Sequence, residues 1–411
     1  MKRVVKIIVW CLAVLAGLPV AALVVTQAWF YASCPVYRFG EPQPFSGAAF
    51  YNPYAGLDAG QWKKAIFHLH TKSWGGLTDG ENDRDTVVGA YRSLGYDVVA
   101  ISNYMHVDTA GASLPGYIPC YEHGYGYGKT HQLPMGSDGK VLWRDYVFVQ
   151  DIHQKQYTID LLKRRCEVLA LNHPGLRKGY APGDFKYLSG YHLVEILNTW
   201  HTWTEHWDTA LSNGHSVWLT ANDDAHTVTD LERVQQCAVF IHAPTAGRGD
   251  ILSGIRRGAA FGVRFPVTAG QTWGEKRAVA AEVSFPAGIA VRNDTLSVTW
   301  GRRMSVITFT GDGGKVLATA ADTSSAVYVI RPEDTYVRVT LEDGGGLVYY
   351  LNPVVRSAGG LPPARQRPAE MDAGATLRKR LIIAGGGLLV SVAAVAACCR
   401  KRRSGGHLLY K

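Results

Sequence analysis

The chain has 411 residues, of which 47% are hydrophobic and 19% are charged, so it is long enough for two domains with buried cores. The formal charge of +9 at pH 7 is concentrated near the ends: eleven of the 43 Lys and Arg residues flank two apolar terminal segments, which leaves 32 positive charges against 34 acidic residues. Because the centre is nearly neutral, nothing favours nucleic-acid binding, and we expect no nucleic-acid partner.

The N-terminal segment is predicted to be a signal peptide or an uncleaved membrane anchor. Residues 7–25 carry no charge and follow Lys2, Arg3 and Lys6, a charge order that both kinds of segment share. The apolar stretch is long enough to span a bilayer, and no clean small-residue cleavage site follows it. We assign residues 1–34 to this segment and leave both interpretations open.

The C-terminal segment is predicted to be a transmembrane helix with a cytoplasmic tail. Residues 381–399 are apolar over about one membrane thickness, and four basic residues follow directly within the tail at 400–411. Because Lys and Arg clusters prefer the cytoplasmic face, this order predicts a membrane-anchored protein whose centre is extracytoplasmic, in the periplasm or at the cell surface. Residues 357–380 are rich in Pro and Gly near their start, a composition that predicts a stalk leading to the membrane segment.

Four cysteines lie between the apolar ends: Cys34, Cys120, Cys166 and Cys237. In an oxidising compartment they can pair in three ways, and the sequence does not choose among these.

Residues 60–265 alternate short apolar runs with helical patterns. The runs predicted to be strands are 65–70, 97–102, 167–172, 193–198 and 216–223. Helical patterns at 84–95 and 205–214 each end at a glycine and separate these strands. Because apolar strands separated by helices are typical of parallel sheets covered on both faces, we predict an α/β domain built as a β/α barrel.

Residues 275–356 show a different pattern. Apolar runs here are punctuated by Gly and Asp, as in "GDGG" and "EDGGG", and no helical pattern intervenes. Such turns join neighbouring antiparallel strands, so we predict a small antiparallel β-sandwich that follows the barrel.

Histidines and carboxylates follow the predicted strands of the first domain. The candidate ligands are His68, His70, Asp79, Glu122, His131, His173, Asp224 and His226. Residues two apart on a strand point to the same face, so His68 and His70 point together, as do Asp224 and His226 if their strand extends that far. In a parallel barrel the strand ends of one face converge on one site, where we expect these side chains to meet.

Imidazole and carboxylate together suit divalent transition metals, and eight ligands are too many for one ion. We therefore predict two or three ions of zinc, manganese or iron. Metal ions in this arrangement bind phosphate-like groups, activate water near neutral pH and stabilise a departing oxygen.

These residues resemble the polymerase and histidinol phosphatase (PHP) superfamily of metal-dependent phosphoesterases. The motifs stand here as "HLH", "TDG", "YEHG", "KTHQL", "LALNHPG" and "NDDAH", in the family's order across roughly residues 60–265. The resemblance implies a distorted PHP-type β/α barrel with a di- or trinuclear site, and it assigns all eight candidate residues as ligands. The terminal apolar segments and the trailing β domain are similar to the family's secreted, membrane-anchored branch.

One position departs from the family pattern. Where the family has T-D-H after the second strand, this chain has Ser102, Asn103 and Tyr104. Tyr104 coordinates metal only as a phenolate, and the pKa of a free tyrosine is about 10. Three interpretations stay open: Tyr104 coordinates or hydrogen-bonds a bound water, His106 takes its place, or the site is dinuclear with Tyr104 as a polar wall. We favour the last.

The predicted function is hydrolysis of phosphate mono- or diesters by a metal-activated water. We expect catalytic roles for Glu122, Asp224, Tyr104 and His226. Cations close in sequence to the ligands are expected to bind the phosphorylated or other small-molecule substrate: Lys72, Lys129 and Arg177. Two alternatives remain, namely a metal-dependent hydrolase of amides, carbamates or carboxylic esters, and a surface binding protein that has lost catalysis.

Overall fold

The computed structural model describes residues 2–58, 60–359, 369–385 and 396. Its named α-helices are α1 (Lys2–Ser33), α2 (Arg84–Ser93), α3 (Ile152–Leu162), α4 (Thr204–Ser212), α5 (Arg248–Arg256) and α6 (Trp273–Ala281), and residues 373–385 are helical as well. The 3-10 helices are Trp74–Gly76, Leu176–Lys178, Pro182–Lys186, Leu231–Arg233 and Asp312–Gly314.

The strands of the N-terminal two thirds are β1 (Tyr37–Arg38), β2 (Ala49–Tyr51), β3 (Trp62–Ile66), β4 (Val98–Val99), β5 (Gln132–Met135), β6 (Val168–Leu171), β7 (Leu193–Asn198), β8 (His201–Thr202), β9 (Trp218–Ala221), β10 (Cys237–His242) and β11 (Ala260–Arg264). The later strands are β12 (Pro286–Arg292), β13 (Thr295–Gly311), β14 (Lys315–Val329), β15 (Tyr336–Glu342), β16 (Val348–Leu351), β17 (Val354–Ser357) and β18 (Glu370–Met371).

The chain divides into two units. One consists of Met1–Arg38 with Glu370–Lys411, in which β1 pairs antiparallel with β18. The other is Phe39–Ala369 and holds the remaining strands of both larger sheets. The predicted domain ranges 60–265 and 275–356 both lie in this second unit, and the boundary between them stays a prediction.

The predicted membrane segments are not supported. Among the described residues, no helix is both long enough and apolar enough to cross a bilayer. The N-terminal prediction at 7–25 falls in α1, which contains Pro19. Most of the C-terminal prediction at 381–399 lies outside the described residues, as do the tail at 400–411 and residues 360–368 of the stalk.

The strands of the second unit form two sheets. The larger has 11 strands, with the order β12-β13-β15-β16-β11-β10-β3-β4, β14 beside β13, and β17 joining β15 to β2. The smaller has five strands in the order β5-β6-β7-β8, with β9 paired to β7. The β3–β4, β6–β7 and β7–β9 pairs are parallel, and β10 is antiparallel to both β11 and β3.

The prediction of a distorted PHP-type β/α barrel is wrong, because the strands form a mixed α/β structure without a closed barrel. The predicted strands and helices exist, but β3 and β9 lie in different sheets. Beyond them the two segments form an isolated bridge between Leu69 and Ala225 in place of a continuous ladder. Side chains take the backbone donors here: Phe67 N–H donates to Asn222 Oδ1 (2.8 Å), and Leu69 N–H donates to Ser102 Oγ (3.1 Å). The ladder that would close a barrel is interrupted at the ligand-bearing segments.

The prediction of a separate antiparallel sandwich is also wrong. Strand β16 pairs antiparallel with β11, with Leu351 opposite Phe261, so the later strands extend the sheet that contains β3. An open sheet edge exposes unpaired backbone groups, and this pairing covers the edge of β11. Aromatic rings cross the junction: Phe261 lies 5.5 Å from Trp300 and 6.3 Å from Tyr349, between ring centroids.

Helix α2 and strand β3 show how local sequence positions the site. The Asp83 side chain accepts from Thr86 N–H (2.9 Å) and begins α2, which buries Val87 and Tyr91. In β3, Ala65 and Ile66 are both buried although they point to opposite faces, so the strand is covered on both sides. Its continuation therefore carries His68 and His70 into the interior.

The central cysteines do not form disulfides with one another. Cys120, Cys166 and Cys237 are free thiols, and Cys120 and Cys237 are buried in the apolar core.

A buried ion pair ties α4 to β15. Arg338 donates through Nε to Asp208 Oδ1 (2.7 Å) and through Nη2 to Asp208 Oδ2 (2.8 Å). Tyr336 donates its hydroxyl to the same carboxylate (2.9 Å). Since both charges are buried, each depends on the other for compensation.

Arg338→Met is expected to lower the free energy of unfolding by about 3–5 kcal/mol, because it leaves the Asp208 carboxylate buried without its cation. Urea denaturation followed by tryptophan fluorescence measures this loss. The control is Arg303→Met, which breaks an exposed pair with Asp322 and should leave the midpoint nearly unchanged. Equal midpoints for the two variants would contradict the structural role of the buried pair.

Candidate metal centre

The segments that follow β3 and β9 bring three predicted ligands together. Asp224 N–H donates to His68 O (3.1 Å), and His70 N–H donates to Ala225 O (3.0 Å). The two segments therefore run side by side beyond the ends of their strands. His68, His70 and Asp224 are all buried, so their polar atoms face the interior.

Four side chains form the first possible ligand group: His68, His70, Glu122 and Asp224. His68 Nε2 lies 3.1 Å from Glu122 Oε1 and 3.0 Å from Asp224 Oδ1. His70 Nε2 lies 3.2 Å from Glu122 Oε2 and 3.2 Å from Asp224 Oδ1. One ligand atom from each residue lies within 4.8 Å of the others, a spacing that suits a common ion.

Glu122, His131 and His173 form the second group. His131 Nδ1 lies 2.7 Å from Glu122 Oε1, and His173 Nε2 lies 3.0 Å from the same oxygen. Glu122 thus belongs to both groups and is completely buried. A carboxylate shared in this way is suited to bridge two ions.

The donor atoms of the two groups fit divalent metal ions. Within the described part of the chain, several buried polar atoms of these residues have no hydrogen-bond partner, among them Glu122 Oε2, Asp224 Oδ1 and His131 Nε2. His68 Nε2 and His70 Nε2 also approach to 3.3 Å. Buried polar atoms without partners are costly, and cations among these nitrogens and oxygens would satisfy them. The buried groups can therefore bind divalent metals.

The electrostatics keep the two carboxylates ionised. Burial raises the pKa of Glu122, but the imidazoles of His131 and His68 outweigh it and hold that pKa well below its ordinary value. Burial likewise raises the pKa of Asp224, while the charge of His68 and the nearby imidazole of His226 lower it well below the usual range. Both side chains are therefore available as anionic ligands.

Asp79 and His226 lie beside the first group and belong to neither. His226 stacks on His70 with ring centroids 4.3 Å apart, and its Nε2 is 3.6 Å from Asp224 Oδ1. Its Nδ1 faces Asp79 Oδ1 at 3.1 Å, and the Asp79 side chain is 64% exposed. These two residues stand at the solvent side of the cluster.

Tyr104 lies between the two ligand groups. Its ring is 4.4 Å from that of His70 and 5.6 Å from that of His131. Burial, together with the negative charges of Glu122 and Asp224, raises the pKa of its hydroxyl far above the ordinary value, which keeps the phenol protonated. The interpretation of Tyr104 as a polar wall stays a prediction.

His106 does not join the cluster. It is exposed, its Nδ1 lies 3.2 Å from Ser73 Oγ, and its ring packs against Trp74. The structure therefore gives no support to His106 as a substitute ligand.

Glu195 is a functional residue that the sequence analysis missed. His68 Nδ1 faces its Oε1 at 3.0 Å, and His173 N–H donates to its Oε2 at 2.8 Å. Because a carboxylate only accepts, this contact holds a proton on His68 Nδ1, so Nε2 is the nitrogen that would bind a metal. The available signal was an acidic residue in the middle of the buried strand "LVEILN".

Two asparagines and a second aspartate form further hydrogen bonds around the ligand groups. Asn222 Nδ2 donates to Glu195 Oε1 (2.9 Å), and Asn172 Nδ2 donates to Glu122 Oε1 (3.2 Å). Asp223 is buried and accepts from Tyr91 Oη (2.6 Å), which fixes the residue before Asp224. The sequence analysis assigned no role to any of these supporting side chains.

Strained backbone is concentrated around the cluster. Positive φ angles occur at the ligands His173 (24°) and Asp224 (53°), and at Met105 (50°), the residue after Tyr104. Non-glycine residues adopt such angles at a cost of about 1–3 kcal/mol each, which surrounding contacts must offset. The hydrogen bond from His173 N–H to Glu195 is one such contact.

The three predicted substrate-binding cations lie in different surroundings. Lys129 Nζ reaches the Tyr104 hydroxyl (3.3 Å), and the Arg177 guanidinium lies over the ring of Tyr127 at 5.3 Å. Lys72 is exposed and follows the His70 segment.

Comparison with known proteins adds little. No family model matches the chain, and no curated protein matches it. The chain is similar to a crystal structure of a two-domain protein from Bacteroides vulgatus ATCC 8482 that contains a predicted PHP-like metal-dependent phosphoesterase. That comparison covers 77% of this chain and 99% of the other, at 14% identity and a TM-score of 0.39. A structural similarity this low does not establish the fold or the function of this chain. The buried His, Glu and Asp cluster fits the ligand pattern of the PHP superfamily described above. Membership of that superfamily and of its secreted, membrane-anchored branch stays a prediction.

Glu195→Gln is expected to weaken metal binding by about 10- to 100-fold, because an amide NH2 would face donors that now meet carboxylate oxygens. Calorimetric titration of the metal-free protein with Zn²⁺ or Mn²⁺ measures the change, with circular dichroism as the check on folding. Glu205→Gln, at an exposed position in α4, is the control and should bind metal as the wild type does. Equal affinities for both variants would remove Glu195 from the centre.

Proposed function

We propose that this protein is a metal-dependent hydrolase and that its substrates are phosphate esters. The observation that carries the proposal is the pair of buried ligand groups joined by Glu122. Two adjacent divalent ions neutralise phosphate oxygens and activate water, which is the chemistry they would supply when bound. The chain holds no comparable gathering of His, Cys, Asp and Glu elsewhere in the described residues.

The protein's own residues would divide the work. His68, His70 and Asp224 would hold one ion, His131 and His173 the other, and Glu122 both. Glu195 keeps the proton of His68 on the nitrogen that faces away from the cluster.

The residues on the solvent side would act on the substrate. His226 is oriented by Asp79 on one side and lies near Asp224 on the other, so it stands where a substrate enters. The ring of Tyr104 lies beside His70 of the first group and His131 of the second. The catalytic roles of His226 and Tyr104 stay predictions.

Partners, location and metal identity rest on the sequence alone. The choice among zinc, manganese and iron, the extracytoplasmic location and the expected absence of a nucleic-acid partner all stay predictions.

The double variant His68→Ala with Asp224→Ala is expected to lose bound metal and phosphoester hydrolysis together, because it removes ligands from the first group. Elemental analysis and a panel of p-nitrophenyl phosphate, bis(p-nitrophenyl) phosphate and p-nitrophenyl acetate measure both effects. The matched control is His201→Ala with Asp85→Ala, which changes an exposed histidine and an exposed aspartate and should keep both properties.

Three outcomes would count against the proposal. Full hydrolysis by the metal-free double variant would show that the cluster is not the active site. A wild-type protein that holds metal but cleaves only the acetate would be a carboxylic ester hydrolase. A folded wild-type protein without metal-binding capacity would favour a surface binding protein.

A further inference from the structure

Two loops that carry cations pack against each other at the solvent side of the cluster. Thr130 Oγ1 donates to Gly179 O (3.1 Å), and a Cβ at Gly179 would lie only 2.6 Å from Lys129 O. Glycine is therefore needed at position 179 for this close approach. The contact brings the loop of Lys129 next to the loop of Arg177, although 48 residues separate the two in sequence.

Both cations stand on strained backbone. Lys129 has a φ angle of 53° and Arg177 one of 48°, values that side-chain-bearing residues rarely adopt. Turn contacts maintain these conformations: Lys129 N–H donates to Gly126 O (3.1 Å), and Gly179 N–H donates to Leu176 O (2.9 Å). Strain of this kind is typical of functional positions, where it fixes the direction of a side chain.

The Lys129 ammonium is held at Tyr104. Its Nζ lies 3.3 Å from the Tyr104 hydroxyl and 4.9 Å from the ring centroid. Since the Tyr104 ring lies close to His70 and His131, this ammonium stands beside both ligand groups.

Neither cation is compensated by a carboxylate. Within the described ranges, Lys129 and Arg177 form no ion pair, whereas the buried Lys155 pairs with Asp184 at 2.6 Å. An uncompensated ammonium on a strained loop, next to a cluster of metal ligands, is a site for an anion.

We propose that Lys129, the Tyr104 hydroxyl and Arg177 form an anion subsite that binds the terminal phosphate of a phosphomonoester dianion. The inference rests on the proposed function and narrows it to monoesters. One hydrogen of the ammonium meets Tyr104, and two remain for phosphate oxygens. A monoester offers three terminal oxygens and two negative charges, whereas a diester offers two oxygens and one charge. A subsite built from two further cations therefore favours the monoester.

Phosphate binding tests the subsite directly. The probe is inorganic phosphate, titrated calorimetrically into the metal-loaded full chain. Lys129→Met is expected to weaken phosphate binding about tenfold or more, which corresponds to about 1.4 kcal/mol. Arg177→Met should weaken it less, because Arg177 is exposed. Lys186→Met, at an exposed position downstream of the same loop, is the control and should bind phosphate as the wild type does.

Kinetics test the substrate class. The wild type should hydrolyse p-nitrophenyl phosphate with a higher kcat/KM than bis(p-nitrophenyl) phosphate, and Lys129→Met should reduce that ratio mainly by raising KM for the monoester. Lys129→Arg keeps the charge and should restore part of the preference. Elemental analysis of each variant must show unchanged metal content, since these residues are not ligands.

The outcomes separate the subsite from the proposed function. Equal phosphate affinity in Lys129→Met and Lys186→Met, or a wild type that prefers the diester, overturns the subsite and leaves the metal-dependent hydrolase intact. Phosphate binding that depends on Lys129, in a protein that hydrolyses no phosphate ester, supports the subsite and overturns the proposed function.

Discussion

The central constraint on this structure is the burial of Glu122 among imidazoles. Its carboxylate lies within 3.2 Å of four histidines, His68, His70, His131 and His173, and no part of it reaches solvent. Such a concentration of polar atoms is unfavourable in a protein interior unless its lone pairs and charges are matched. The surrounding architecture, from the open ends of β3 and β9 to the strained residues His173 and Asp224, serves to hold these atoms together.

That constraint also explains why the sheets do not close. The segment after β3 uses side-chain oxygens of Asn222 and Ser102 to satisfy the backbone donors of Phe67 and Leu69, so regular strand pairing gives way to an isolated bridge where the ligands begin. The backbone groups remain paired, as buried groups must be. The rigidity that a closed ladder would provide comes instead from Glu195 and Asp223, and from the extension of the larger sheet through β11 and β16.

Much of the site could be predicted from the sequence, but less of the fold. His68 and His70 share one side of a strand, and strands that end in His or Asp mark points of convergence. Spacing along the chain therefore indicated all six residues of the two buried groups, together with Asp79 and His226, which lie outside them. The two histidines that contact the Glu195 carboxylate, His173 and His68, are 22 and 127 residues away, and no periodic pattern reports such distances. The covering of β11 by β16 likewise depends on an exposed sheet edge, which the sequence of neither strand reveals.

Metal stoichiometry tests the account most directly. Metal-free protein is titrated with Zn²⁺ or Mn²⁺, and thermal unfolding is followed at each addition. Because Glu122 belongs to both ligand groups, the account predicts two bound ions per chain, a rise in the unfolding temperature as they bind, and the loss of both ions in Glu122→Ala. A folded wild-type chain that binds no ion, or a Glu122→Ala variant that still binds two, would contradict it.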